Sequence, residues 1–273
     1  MRFDHFGATF NQPLSAATHF THNDNIASPR AALIYKPDDN SSLYFSYGTS
    51  FNPSAETLSL AASNQALGPE RDHTYEMGGK VNVLDGQLAL TLAAFNTVKS
   101  NARIADPLNP TLQTLSGTER VKGIELGVQG HVRDNWVLTA GYTYLAPRAV
   151  GLIAAGVAGP IPNVARNQGN IWSVYDFDDG LKLGAGLNWT GRRDASADTL
   201  SLPGQILVAR VASYVTADAM ASYAVNDNFV LQLNIYNLGN AFYYANSYFT
   251  RPNENHAVPG AARTILLTAG MSL

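Results

Sequence analysis

The segment HFTHND sets His19, His22 and Asp24 close enough along the chain to share a metal ion. Imidazole nitrogens and carboxylate oxygens are ordinary zinc ligands, yet such a site needs further protein groups to close it. No third imidazole follows nearby, so the segment reads as a solvated histidine pair and no metal site is assigned. The segment DFDDG, Asp176 to Gly180, resembles the opening of a calcium loop. It lacks the downstream bidentate Glu of such a loop, and the same residue types make a tight turn. The 273 residues contain no cysteine, which removes thiolate nucleophiles, disulfides and thiolate-bound metals. No glycine loop follows a strand and opens a helix, no nucleophile elbow appears, and no Ser, His and carboxylate set stands out. The chain is therefore expected to be no enzyme and to carry no cofactor of its own.

The elements that must hold any site are strands. In LKLGAGLNWT, Leu181, Leu183, Ala185, Leu187 and Trp189 fall on one parity, and Lys182, Gly184, Gly186, Asn188 and Thr190 on the other. Successive side chains of a pleated strand point to opposite faces, so this pattern is an extended ribbon with one apolar side. LYFSYGTSF repeats it with Leu43, Phe45, Tyr47 and Phe51, and WVLTAGYTY with Trp136, Leu138, Ala140, Tyr142 and Tyr144. FVLQLNIYNL gives Phe229, Leu231, Leu233 and Ile235, and ILLTAGMSL gives Ile265, Leu267, Ala269, Met271 and Leu273. About twelve such strands follow one another, starting near residues 1, 28, 42, 70, 87, 119, 136, 167, 181, 214, 229 and 263.

Two environments suit alternating strands: the half-buried face of a soluble sandwich, or a barrel with its apolar face in lipid and its polar face in a lumen. Charged residues make up 14% of the chain, against about 25% in soluble domains. No apolar run reaches the ~20 residues of a membrane helix. The connections alternate in kind: KPDDN, LDGQ, VRDN, DFDDG and VNDN are short, whereas those near 12–27, 52–69, 99–118, 146–165, 192–213 and 239–261 are long. Long structureless loops are uncommon in compact soluble domains, whereas membrane barrels have short turns on one side and long loops on the other. Outward aromatics fall at strand ends, with Trp136 and Phe229 beside short turns and Phe51, Tyr144 and Trp189 beside long loops, as a lipid–water interface favours. The expected fold is all-β, an antiparallel transmembrane β-barrel in the outer membrane of a Gram-negative bacterium. A formal charge of −3 gives no reason to expect nucleic acid as a partner.

Seven segments, in order over nearly the whole chain, resemble the C-terminal barrel half of TonB-dependent outer-membrane siderophore receptors. They are SPRAALIYKPDDNSSLYFSYGTSFNP, ERDHTYEMGGKVNVLDGQLALTLAAFN, GTERVKGIELGVQG, NWVLTAGYTYL, IPNVARNQGNIWSVYDF, DAMASYAVNDNFVLQLNIYNLGNAFYY and PGAARTILLTAGMSL. IPNVARN and DAMASY look most like receptors for catecholate-type ferric siderophores. The resemblance implies a barrel of about twenty-two strands, an N-terminal plug domain and a TonB box. MRFDHFGATFNQ has no basic segment followed by an apolar one, so it is no secretory signal. Residues 1–273 are therefore expected to be the C-terminal part of a longer receptor, without plug, TonB box or signal peptide. Family members usually end in an aromatic that helps recognition by the barrel-assembly machinery, and Leu273 stands there in this chain.

The resemblance further implies active import, with a ferric siderophore bound at the extracellular face and energy delivered by the TonB complex through the plug. Ferric catecholates are anionic, so guanidinium forks suit their oxygens and aromatic faces suit their rings. The long connections supply Arg103, Arg148, Arg166, Arg192, Arg193, Arg210 and Arg251, with Tyr243, Tyr244, Tyr248 and Phe249. The bland alternative for each arginine is a surface ion pair or a lipopolysaccharide phosphate. Glu125, Gln129, Lys182 and Asp218 share the lumen parity and are candidates for plug contact, with a solvated barrel wall as the plainer reading. Other cargo such as cobalamin or a glycan, a passive porin-like channel and an outer-membrane barrel enzyme are the competing functions.

Overall fold

A computed structural model describes residues 1–11, 19–53, 68–105, 113–150, 160–177, 179–195, 200–202, 205–207, 210–251 and 254–272. Leu273 and Asp178 lie outside them. No helix occurs among the described residues. The first strands are β1 (Arg2–Asn11), β2 (His19–Ser28), β3 (Arg30–Asp38), β4 (Ser41–Asn52), β5 (Glu70–Val83) and β6 (Leu88–Ala105). The middle of the chain gives β7 (Gln113–Arg133), β8 (Trp136–Val150), β9 (Asn167–Asp176), β10 (Leu181–Thr190), β11 (Arg193–Asp194), β12 (Leu200–Leu202), β13 (Gln205–Leu207) and β14 (Arg210–Val211). The last are β15 (Tyr214–Asn226), β16 (Phe229–Tyr236), β17 (Tyr244–Arg251), β18 (Glu254–Pro259) and β19 (Thr264–Met271).

Eleven of these form one antiparallel sheet in the order β3-β4-β5-β6-β7-β8-β9-β10-β15-β16-β19. Its register carries the hydrophobic alternation across strands. Leu43, Gly79, Leu92, Leu126, Tyr142, Gly169, Trp189 and Val215 stand side by side in one row. One residue along, Ser42, Lys80, Thr91, Gly127, Gly141, Asn170, Asn188 and Thr216 form the next row, on the opposite face. A slip of one residue on any strand would break both rows, which is how the two-residue side-chain period fixes the register. The apolar face is open to its surroundings, with Leu92 at 52% exposure and Leu126 at 48%. The polar face holds large rings against small neighbours. Trp172 lies over Gly186 and Phe95 over Gly123, where an added Cβ would collide with the ring.

The turns at the short-connection end follow their sequences. In LDGQ, Leu84 and Asp85 have positive φ (54° and 55°) and Gly86 follows at 86°, a backbone path that Asp and Gly tolerate best. In DFDDG, Gly180 donates to the Phe177 carbonyl at 3.2 Å and Asp176 forms an ion pair with Lys182 at 2.6 Å.

The long connections differ from expectation, because much of their length is strand. β2 occupies residues read as connection and pairs with β1, so β1 belongs to a separate two-stranded sheet and not to the main one. β6 and β7 continue their ladder through Ala105↔Gln113, and β17 pairs with β18. β11 pairs with β14 and β12 with β13 within the span read as one loop. The physical reason is simple. Away from lipid neither face of a hairpin has to be apolar, so the backbone ladder persists without the alternation that signals a strand in sequence; the covered face of β2 holds Asp24 and Ser28 beside Ile26. Pro29 separates β2 from β3; it has no N–H to give a ladder, and its carbonyl accepts from Thr49 N at 3.1 Å.

Candidate functional site at the rim of the long connections

The chemistry-bearing residues gather where β9, β10, β15 and β17 meet the long connections. Tyr214 opens β15 opposite Thr190, and so shares the inward parity of Asn188 and Gly186. Its ring stacks on Tyr243, centroids 4.2 Å apart and planes 26° from parallel. The Arg193 guanidinium lies 6.0 Å from the Tyr214 centroid, within the distance at which a cation is drawn to an aromatic face. Arg193 is buried, donating Nη1 to Ala245 O and Nη2 to Tyr244 O, both at 2.7 Å. Its charge is thus held at the mouth by two backbone carbonyls of β17. No carboxylate neutralises it among the described residues. Beside it, Arg210 Nε meets Asp194 Oδ1 at 3.4 Å across the β11–β14 ladder.

Two asparagines fasten this rim. Asn163 Nδ2 donates to Ser247 O at 2.6 Å, and Asn163 Oδ1 accepts from Ser247 N and Oγ at 3.1 and 3.0 Å. Its own N–H donates to Asp194 O at 2.8 Å. The segment before β9, β11 and β17 are therefore tied together through one residue, by its backbone N–H and its side chain. Asn237, buried after β16, donates Nδ2 to the carbonyls of Ala241 and Ala261 at 2.9 and 3.0 Å and accepts from Ala241 N at 2.9 Å. Its backbone N–H reaches Asp218 Oδ1 at 2.7 Å, while Asp218 Oδ2 accepts from Asn188 Nδ2 at 2.8 Å.

Of the residues singled out from the sequence, the structure brings Arg193, Arg210, Tyr243 and Tyr244 together. Tyr244 is half-exposed, its ring edge-on to Phe242 at 5.2 Å. Arg166 and Arg192 are exposed near the same rim. Arg148 is elsewhere: it follows Tyr142 and Tyr144 along β8 on the outward face, opposite Arg120. The side chains of Arg103, Tyr248, Phe249 and Arg251 lie outside the described residues, as does that of His19. His22 Nε2 lies 3.0 Å from Asp24 Oδ2 on β2. Of the lumen candidates, Asp218 is engaged by Asn188 and Asn237, and Lys182 by Asp176. Glu125 and Gln129 are exposed on the inner wall opposite Thr143 and Thr139. Sequence alone does not single out Tyr214, Asn163 or Asn237. A ring at a strand start and an asparagine in a loop carry no periodic signal, and their role exists only once distant segments meet.

The sequence profile of the family described as "TonB dependent receptor-like, beta-barrel" matches residues 1–238. The chain is 34% identical over 272 residues to a probable TonB-dependent siderophore receptor, PiuA of Acinetobacter baumannii, covering 91% of this chain and 35% of that protein. It is 29% identical over 258 residues to the catecholate siderophore receptor Fiu of Escherichia coli K12, covering 90% and 33%. The crystal structure of the Acinetobacter baumannii siderophore receptor PiuA superposes with a TM-score of 0.83 at 30% identity, covering 98% of this chain and 39% of that one. The chain thus spans roughly a third of the length of the relatives it matches (35% and 33%).

Proposed function

The chain belongs to the TonB-dependent receptor β-barrel family, and on that premise we propose that it forms part of the wall and outer mouth of a receptor that imports ferric catecholate siderophores. The chain lies in the outer membrane of a Gram-negative bacterium, as family members do. The observation that carries the cargo reading is the inward-facing Tyr214 ring, stacked on Tyr243, with the Arg193 guanidinium 6.0 Å from the Tyr214 centroid. A ferric catecholate offers aromatic rings and a net negative charge, which such a surface matches in shape and sign. The printed name of the catecholate receptor Fiu, a relative over 90% of this chain, supports the same class.

The sheet itself supports a larger assembly. Every residue of β3 and β19 is exposed, because each strand has a neighbour on one side alone. In hydrocarbon each unpaired edge N–H and C=O costs several kcal/mol, so those edges call for further strands. We read the chain as one sector of a larger barrel, with a plug inside it that engages TonB.

A chimeric receptor tests the proposal: PiuA with its matching segment replaced by this chain, produced in cells lacking their own catecholate receptors. Cells should take up 55Fe supplied as a ferric catecholate, and uptake should vanish without TonB. Surface-exposed, folded chimera with no uptake would contradict the cargo assignment, and uptake independent of TonB would favour a passive channel.

A further inference from the structure

The ring stack at the mouth ends on a residue with no side chain. Gly260 follows β18, and a Cβ added there would stand 2.1 Å from both Cε2 and Cζ of Tyr243 and 2.7 Å from its Cδ2. The Tyr243 ring therefore occupies the space that any other residue at this position would fill. The backbone is joined at the same point, with Gly260 N donating to Tyr243 O at 2.8 Å. Left-handed backbone is not the reason for a glycine here, since the positive-φ glycines among the described residues are Gly86, Gly130 and Gly180. Space calls for it, and the space belongs to one ring. From Gly260 the contacts run on in order: Tyr243 against the glycine, Tyr214 stacked on Tyr243 at 4.2 Å, and the Arg193 guanidinium 6.0 Å from the Tyr214 centroid. Asn237 fixes the backbone on both sides of the contact, because it donates to Ala261 O, next to Gly260, and to Ala241 O, two residues before Tyr243. With both segments held, the ring and not the backbone must yield to added bulk.

From this geometry we infer that Gly260 is a positioning residue for cargo capture: it sets how deep Tyr243 sits, and so holds the paired rings in the arrangement that the catechol rings of the cargo join. The inference rests on the cargo reading given above. Aromatic pairs are favoured only in particular offset or edge-on arrangements, so a ring displaced by even a methyl group loses its partner. Tyr243 is half-buried at the rim and can swing away without opening a core. The effect of bulk at this position therefore falls on binding far more than on folding. That separates Gly260 from a glycine kept for its backbone alone.

The test uses the outer-membrane protein that carries this chain, purified in detergent, with equilibrium binding of radiolabelled ferric tris-catecholate as the readout. The variants are Gly260→Ala, Tyr243→Ala and the two combined. Tyr243→Ala should bind about tenfold more weakly, the scale of one aromatic pair. Gly260→Ala should approach the same loss while its urea unfolding midpoint and heat-modifiable gel migration stay those of the wild type. The double variant should bind no more weakly than Tyr243→Ala alone, because the added methyl then meets no ring, and such non-additivity marks one shared interaction. Wild-type binding by folded Gly260→Ala beside weakened binding by Tyr243→Ala would overturn the inference and leave the cargo reading standing. A further loss when Gly260→Ala is added to Tyr243→Ala would also overturn it, since the glycine would then act through something other than the ring. Full binding by Tyr243→Ala would overturn the cargo reading at this ring, and the inference with it.

Discussion

The wall and the rim are built from the same antiparallel ladders, yet different forces decide where their side chains go. In the wall, the row through Leu92 and Leu126 and the row through Thr91 and Gly127 are separated by one residue, and solvent alone distinguishes them. Lipid selects one parity and water the other, so no individual contact matters much. At the rim neither side has to be apolar and parity selects nothing. Arg193, Asn163 and Asn237 instead fix the segments one bond at a time, through carbonyls of β17 and of the connections that flank β17 and β18. A wall position is thus specified by its environment, and a rim position by its partners.

Substitutions that respect parity in one region and partners in the other should separate the two. The largest effect belongs to the wall: Leu92→Arg places a charge in the lipid row and should cost about 2–4 kcal/mol, whereas Thr91→Arg beside it, facing the lumen, should cost close to nothing. Urea unfolding of the barrel in lipid vesicles measures both, and similar costs would break the comparison. Next comes the rim. Arg193→Met keeps the bulk but abandons the Tyr244 and Ala245 carbonyls, at about 3 kcal/mol. Hydrogen exchange should quicken on β17 while β6 and β7 keep their protection; loss of protection throughout would mean that the rim is no separate unit. Asn237→Ala leaves the Ala241 N–H and two carbonyls unmet and puts Ala at a φ of 50°, for about 2 kcal/mol on the same urea scale. The smallest effect belongs to Lys182→Gln. Its ion pair with Asp176 is about half exposed on both sides, so less than about 1 kcal/mol should be lost.

The same division explains what could be read from the sequence. Each of the twelve expected strands exists, with β7 starting earlier than expected, at Gln113; the eleven of the main sheet record in their alternation a boundary between two solvents. Eleven of them share the main sheet, whereas β1 pairs with β2 above it. DFDDG reads as a turn, and Asp179 and Gly180 lie in one between β9 and β10. The upper hairpins look like loops in the sequence, since β2, β17 and β18 have no apolar parity to show. At the site, Arg193 and Tyr243 were legible as types, a cation and a ring near the mouth. The stacking partner Tyr214 and the fastener Asn163 were not, since Asn163 and Ser247 are 84 residues apart and meet only in the fold. Arg148 shows the opposite error: its position in a long connection suggested the mouth, but its parity puts it outward. Counting residues from Tyr144 would have found that.

The central claim is that neighbouring residues of these strands face different solvents, and the absence of native cysteine makes it directly testable. Leu187→Cys and Asn188→Cys, adjacent on β10, would each be assembled in lipid and exposed to a membrane-impermeant maleimide. The account predicts rapid labelling at Asn188→Cys and protection at Leu187→Cys until detergent is added. Equal labelling of the two, or labelling of Leu187→Cys alone, would contradict it.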